Sequence, residues 1–350
     1  MLKTILFSLL SLSLVSCSFQ QEKTKTSKKV TNPTFKTYPV NSSIRALEAI
    51  DENTCWFGGS GGIVGFTEDG GKSWHTDSII FEGLKPEFRS IAVTDSAVFV
   101  LSVASPALLY KTTEKGNSWE LVYKEDDSLC FYNSMKFWDA KNGIAIGDPT
   151  DACLSIIMTN DGGENWKKLS CNDLPRTKEG EAGFAASNTN IALYGDHVWL
   201  VSGGKKARVF HSANRGQSWK VYDTPIVQGG QMTGIFSVDF YNDHVGIIWG
   251  GDWENQSQNK LNKAMSADGG KTWALINDGK NPGYRSCVQF VPDSNGNEIF
   301  AVGMPDISYS SDKGKNWKQL SNESFYAIRI PDSGNMAWLA GKNKIGKMNW

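Results

Sequence analysis

An eight-residue motif occurs six times along this chain, and its recurrence limits the fold to a small set of architectures. The copies span residues 67–74, 112–119, 159–166, 212–219, 266–273 and 310–317. Each begins with Ser or Thr and carries an Asp, Glu or Asn at its third place: Asp69, Glu114, Asp161, Asn214, Asp268 and Asp312. Each has Gly at its fifth place and ends on a tryptophan: Trp74, Trp119, Trp166, Trp219, Trp273 and Trp317. Successive tryptophans lie 44 to 54 residues apart. Self-similarity at that period marks propeller blades or repeat arrays.

The motif has the chemistry of a turn. A short polar side chain two residues before a glycine accepts hydrogen bonds from nearby backbone N–H groups, and the glycine reaches conformations that strain other residues. The flanks read as strands, for example Leu154–Met158 before the third copy and Trp166–Leu169 after it. Each copy is therefore expected to join the third and fourth strands of a blade, with its Trp plugging the space beside neighbouring strands. The acids of the motif are turn formers on this reading, not active-site acids.

Upstream of each copy lie two strand-like segments. The inner ones are Ile44–Leu47, Phe88–Ile91, Tyr132–Met135, Gly183–Ala186, Gly234–Ser237 and Tyr284–Cys287. A further set without a motif follows the sixth copy, at Phe325–Ile328, Ala337–Ala340 and Ile345–Met348. It lacks an outer strand, which residues 34–40 could supply, closing the ring and covering an open edge. The expectation is an all-β, seven-bladed propeller over residues 34–350, closed by an N-terminal strand. A six-bladed ring with extra strands is the alternative.

The first sixteen residues read as a lipoprotein signal peptide: Lys3, an apolar stretch from Ile5 to Val15, then Leu14–Cys17, which resembles the bacterial lipobox. The apolar run is short for a membrane span. Cleavage before Cys17, lipidation of that cysteine and a flexible tether over residues 17–33 are expected. Acidic residues are sparse after Cys17, which favours an anchor in the outer membrane facing the periplasm of a bacterial envelope. A net charge of −1 gives no nucleic-acid signature. Cys153 and Cys171 lie nine residues either side of Gly162 in the third motif, so folding about that turn would bring them together, and an exported setting permits a disulfide. No CxxC spacing with matching histidines points to a metal. No cofactor motif is found, and a monomer is expected.

Long insertions, at Cys171–Ala182, Asp223–Met232 and Gly250–Asn262, are expected on one face of the disc, which marks it as functional. At the starts of the inner strands, equivalent positions hold Arg45, Arg89, Asn133, Phe184, Gly234, Arg285 and Tyr326. Three guanidinium forks with a tyrosine around one mouth would suit a carboxylate or phosphate. Alternatively each Arg pairs with an acid such as Glu48, Glu323 or Asp148. Glu179, Glu181 and Asp148 are the candidate acids for glycoside hydrolysis, which needs paired carboxylates.

The motif resembles the Asp-box, or BNR, repeat of sialidases, sortilin-type receptors and photosystem II stability/assembly factor-like proteins. Phe88–Ile91, the Gly-rich second strands and the motif turns look most like the last of these. That resemblance implies a seven-bladed propeller with an arginine patch that binds a partner polypeptide, carried here by Arg45, Arg89 and Arg285. Bacterial relatives sometimes carry an oxidoreductase label, yet this sequence has no dinucleotide or flavin motif. A sialidase-like hydrolase acting on an acidic sugar is the second reading. Against it, Arg329–Pro331 is the one Arg-Ile-Pro, and it falls in the last strand set. A sugar-binding lipoprotein, with Trp253 and Tyr326 as stacking platforms, is the third. A broad basic mouth would favour a protein client, and closely paired carboxylates an enzyme.

Overall fold

The computed structural model describes residues 30–350. The expected signal peptide, Cys17 and the expected tether as far as residue 29 lie outside the described residues. Within them the chain is all β, apart from one 3-10 turn at Ser60–Gly62.

The strands form six antiparallel sheets, which corrects the expected seven blades to six. The reason lies in two long strands. Thr34–Ala49 pairs through its first half with Met336–Asn349, in register from Thr34 opposite Asn349 to Pro39 opposite Lys344. Its second half, Ile44 to Ala49, pairs with Cys55–Gly59. The last and first strand sets are thus one continuous six-stranded sheet. The N-terminal strand does cover the edge of the C-terminal one.

Four of the remaining sheets start with Phe88–Val93, Tyr132–Phe137, Ile191–Tyr194 and Cys287–Phe290, and in the fifth Thr233–Phe240 follows the two-residue strands Glu181–Ala182 and Gly203–Gly204. The inner strand of the fourth sheet is Ile191–Tyr194, not Gly183–Ala186 as the sequence suggested. Inner strands are almost wholly buried, and outer ones such as Glu120–Glu125 have no fully buried residue. This is the burial expected when sheets pack face to face and turn only their outer edge to water.

The core consists of the layers between sheets. Trp199, Trp249 and Trp338 are fully buried, and each indole finds a carbonyl: Gly269 O at 2.9 Å, Gly283 O at 3.0 Å and Asp51 O at 3.1 Å. Each indole therefore adds apolar area without leaving its N–H unsatisfied.

The motif turns are held by their own side chains. Thr67 Oγ1 accepts from Gly71 N at 2.9 Å and donates to Asp69 Oδ1 at 2.9 Å. Asp69 Oδ1 also accepts from Lys72 N and Ser73 N, both at 2.9 Å, and Oδ2 accepts from Ser73 Oγ at 2.6 Å. The same pattern recurs at Asp268 with Thr272 and Ser266. Gly71 sits at φ 83°, in the left-handed region, and a Cβ there would meet the Tyr38 ring at 2.5 Å. Hydrogen bonds from the Asn165 side chain and backbone hold the Asp161 carboxyl down at about 2. A carboxylate so occupied serves the turn.

Cys153 and Cys171 are joined by a disulfide, with Cα atoms 5.5 Å apart. Cys55, Cys130 and Cys287 are buried free thiols.

Candidate functional site at the channel mouth

Residues 183–190 leave the sheet pattern and enter the channel. The segment reads Gly-Phe-Ala-Ala-Ser-Asn-Thr-Asn, small and polar where other inner strands alternate. Ala185 to Asn190 are all buried. Asn188 Oδ1 accepts from Met135 N at 3.0 Å and Ser134 Oγ at 3.2 Å, and its Nδ2 donates to Ile91 O at 2.7 Å. Ser187 Oγ donates to Ser286 O at 2.6 Å, and Thr189 Oγ1 donates to Ser237 Oγ at 2.8 Å. Arg329 donates to Ser187 O at 2.9 Å. A segment bonded to the inner strands of the other five sheets lies on the axis. The segment therefore occupies part of the centre of the disc, beside a small cavity lined by Lys136, Thr189, Asp239 and Arg329.

Two of the three aligned arginines meet at the top of this segment. Arg45 NH1 donates to Ala186 O at 3.2 Å, and its guanidinium carbon lies 4.0 Å from the centre of the Tyr326 ring. Arg89 NH1 donates to Ala185 O at 3.3 Å, while its Nε and NH2 donate to Glu87 Oε1 at 2.8 and 2.6 Å. Burial and the neighbouring positive charge of Arg89 lower the pKa of Arg45 from its usual value. Among the described residues Arg45 has no carboxylate ion-pair partner. Phe184 stacks on Phe236 with ring centroids 3.8 Å apart, and Tyr284 meets Phe236 edge-on at 4.8 Å. The mouth thus combines two half-buried guanidinium groups with aromatic rings.

The third arginine is directed elsewhere. Arg285 is 2% exposed, donates through NH2 to Asp306 and Ser308 and through NH1 to Tyr284 O, and lines a different cavity. The expected three-arginine rosette is in this geometry a pair, Arg45 and Arg89, with Tyr326 beneath Arg45. Asn133 is fully buried and donates to Asp148 Oδ1 at 2.9 Å. Of the suggested acid partners, Glu48 pairs with Lys136 and Arg329, and Glu323 with Lys344.

Each candidate acid is engaged by other groups. Glu181 is buried, and both its oxygens are taken. Oε1 accepts from Ser202 Oγ at 2.6 Å and Arg208 Nε at 2.9 Å, and Oε2 accepts from Arg208 NH2 and Lys178 N at 2.8 Å. Glu179 is 91% exposed and pairs with Lys205 at 2.9 Å. Asp148 accepts from Asn133 Nδ2 and from Gly183 N at 2.8 Å, anchoring the start of the axial segment.

Burial pushes Asp148 up to about 6, against these two hydrogen bonds. The folded state therefore binds a proton that the unfolded chain releases between about pH 4 and pH 6. Stability contributed by this group is fully present below its unfolded pKa and is lost as pH rises through 6. Asp148→Asn keeps the acceptor oxygen and removes the titration. Wild type is expected to gain about 2 kcal/mol on the variant as pH falls from 7 to 4, measured by urea unfolding of both proteins across that range. A pH-independent difference would contradict the assignment.

Solved structures of other proteins share this architecture. No protein-family model and no curated protein matches the chain. A structure of YCF48 bound to D1 peptide matches with a TM-score of 0.66 and 16% identity, over 93% of this chain and 99% of that one. The likeness is one of fold. YCF48 from Cyanidioschyzon merolae matches with a TM-score of 0.64 and 15% identity, over 90% of this chain and 98% of its own. U3-55K matches with a TM-score of 0.64 and 11% identity, over 90% and 98%. At such identities the agreement establishes a β-propeller and carries no activity with it.

Proposed function

We propose that this propeller is a binding or assembly scaffold that docks a polypeptide on the Arg45–Arg89 mouth. The carrying observation is the pair of half-buried guanidinium groups at the axis, one of them without an acidic partner. Such a pair suits a carboxylate, from an acidic side chain or a chain terminus, and Tyr326 and Phe184 offer apolar contact beside it. The YCF48 structure with a bound peptide supports the reading, because it shows this fold in that use. A sialidase-like hydrolase has less support, since Glu181 is fully occupied by Arg208 and Glu179 stands in solvent.

We place the protein in the bacterial envelope, anchored by a lipid on Cys17 and facing the periplasm. The Cys153–Cys171 disulfide is in keeping with an oxidising compartment.

The test is affinity capture from native envelope with wild type, Arg45→Ala/Arg89→Ala, and Lys315→Ala on a motif turn as control. A client held by wild type and the control, but lost by roughly tenfold or more with the double variant, is the expected result. Equal capture by all three would overturn the mouth as the docking site.

A further inference from the structure

A second cavity lies away from the axis, between the fifth and sixth sheets. Its volume is ≈ 220 Å³. One wall is Gln256 and Ser257, from the insertion that follows Gly246–Asp252. Arg285 and Asp306 line it, with Trp317 and Pro305 supplying apolar surface. The insertion is packed closely: a Cβ on Gly283 would come within 2.4 Å of Gln256 O.

We propose that this cavity binds a neutral polyhydroxylated ligand, a sugar ring or short neutral saccharide. The charges inside it cancel, because Arg285 and Asp306 form an ion pair. An anion would meet the Asp306 carboxylate, and a cation would meet the guanidinium of Arg285. Hydrogen-bonding capacity nevertheless remains open. Asp306 uses Oδ1 for both Arg285 and Ser308, and Oδ2 accepts no hydrogen bond among the described residues. The Gln256 side-chain amide likewise makes no hydrogen bond among them, and the Nε of Arg285 is buried without a partner. Unmatched acceptors and donors beside an indole and a proline ring are what a ring bearing several hydroxyls can satisfy, each hydroxyl both donating and accepting. The insertion that builds the wall, residues 253–262, is longer than the equivalent connections at 148–154 and 202–207. The inference does not depend on the polypeptide reading, since the Arg45–Arg89 mouth contributes none of these groups.

The experiment is saturation-transfer NMR on the mature protein with glucose, galactose, N-acetylglucosamine and their disaccharides, alongside glucuronate and glucosamine. The expected result is saturable binding of at least one neutral saccharide, weakened roughly tenfold by Gln256→Ala through loss of one hydrogen-bonding group. Asp306→Asn is expected to weaken it further. Because that change touches the Arg285 pair, its fold is checked by melting, and Gln256→Ala carries the test should it unfold. No saturable binding of a neutral saccharide, binding indifferent to Gln256→Ala, or preference for glucuronate or glucosamine would each overturn the proposal. Arg45→Ala/Arg89→Ala is expected to leave saccharide binding unchanged, which separates failure here from failure of the docking mouth.

Discussion

Replacing Glu181 with Ala is expected to destabilise the protein by about 3–5 kcal/mol, because it leaves the guanidinium of Arg208 buried without its counter-charge. Both side chains are out of water, at 0% and 10% exposure. Arg208→Ala is expected to cost a similar amount by stranding the carboxylate. The double replacement Glu181→Ala/Arg208→Ala should cost much less than the sum of the singles, since no charge is then left uncompensated. Urea unfolding of the four proteins closes the cycle. A Glu181→Ala protein as stable as wild type would contradict a structural role and reopen the catalytic one.

The second large effect is expected at Asn188, which ties the axial segment to the ring. Its amide serves Ser134, Met135 and Ile91, and reaches Glu48 Oε1 at 3.3 Å. Its backbone sits at φ 59°, a left-handed conformation that Asn tolerates and Ala resists. Asn188→Ala leaves several buried groups without partners, each costing about 1–3 kcal/mol, so a total of about 4 kcal/mol is expected. Asn188→Gly removes the backbone strain but not the lost hydrogen bonds, and should recover only about 1 kcal/mol of it. Thermal and urea unfolding measure both. Near-wild-type stability in Asn188→Ala would mean that the segment does not hold the axis together.

Much of the fold could be read from the chain because the motif turns are local. Thr67, Asp69 and Ser73 satisfy one another within seven residues, so the pattern in sequence is the pattern in space. The number of sheets could not be read this way. It depends on how far Thr34–Ala49 continues, and on a register set by partners some three hundred residues distant. The inner strand of the fourth sheet was misplaced for a related reason. Residues 183–186 occupy the position in the repeat where a strand is due, but Ala185 to Asn190 are small or polar, and bond to residues of the neighbouring sheets as well as to their own. Their departure from alternation was the available signal. At the site, the alignment of Arg45, Arg89 and Arg285 at strand starts was visible, while the direction of each side chain was not. Arg285 turns to Asp306 in its own sheet, an acid that the repeat alignment did not single out. The acids read as candidates were exposed loop residues in the sequence, and only the fold shows Glu181 drawn inward to Arg208.

The joined sheet also dictates an order of events during biogenesis. Thr34 pairs in register with Asn349, so Thr34–Pro39 has no strand partner among the described residues until Met336–Asn349 has been synthesised. Until then the hydrogen-bonding edge of Thr34–Pro39 stays open to other strands. Closure must bring together segments at opposite ends of the chain, a contact of the longest range and therefore late in folding. The sheets that begin at Phe88, Tyr132 and Cys287 can each form from contiguous sequence as the chain lengthens, whereas the joined sheet is locked only by the pairing of Thr34–Ala49 with Met336–Asn349.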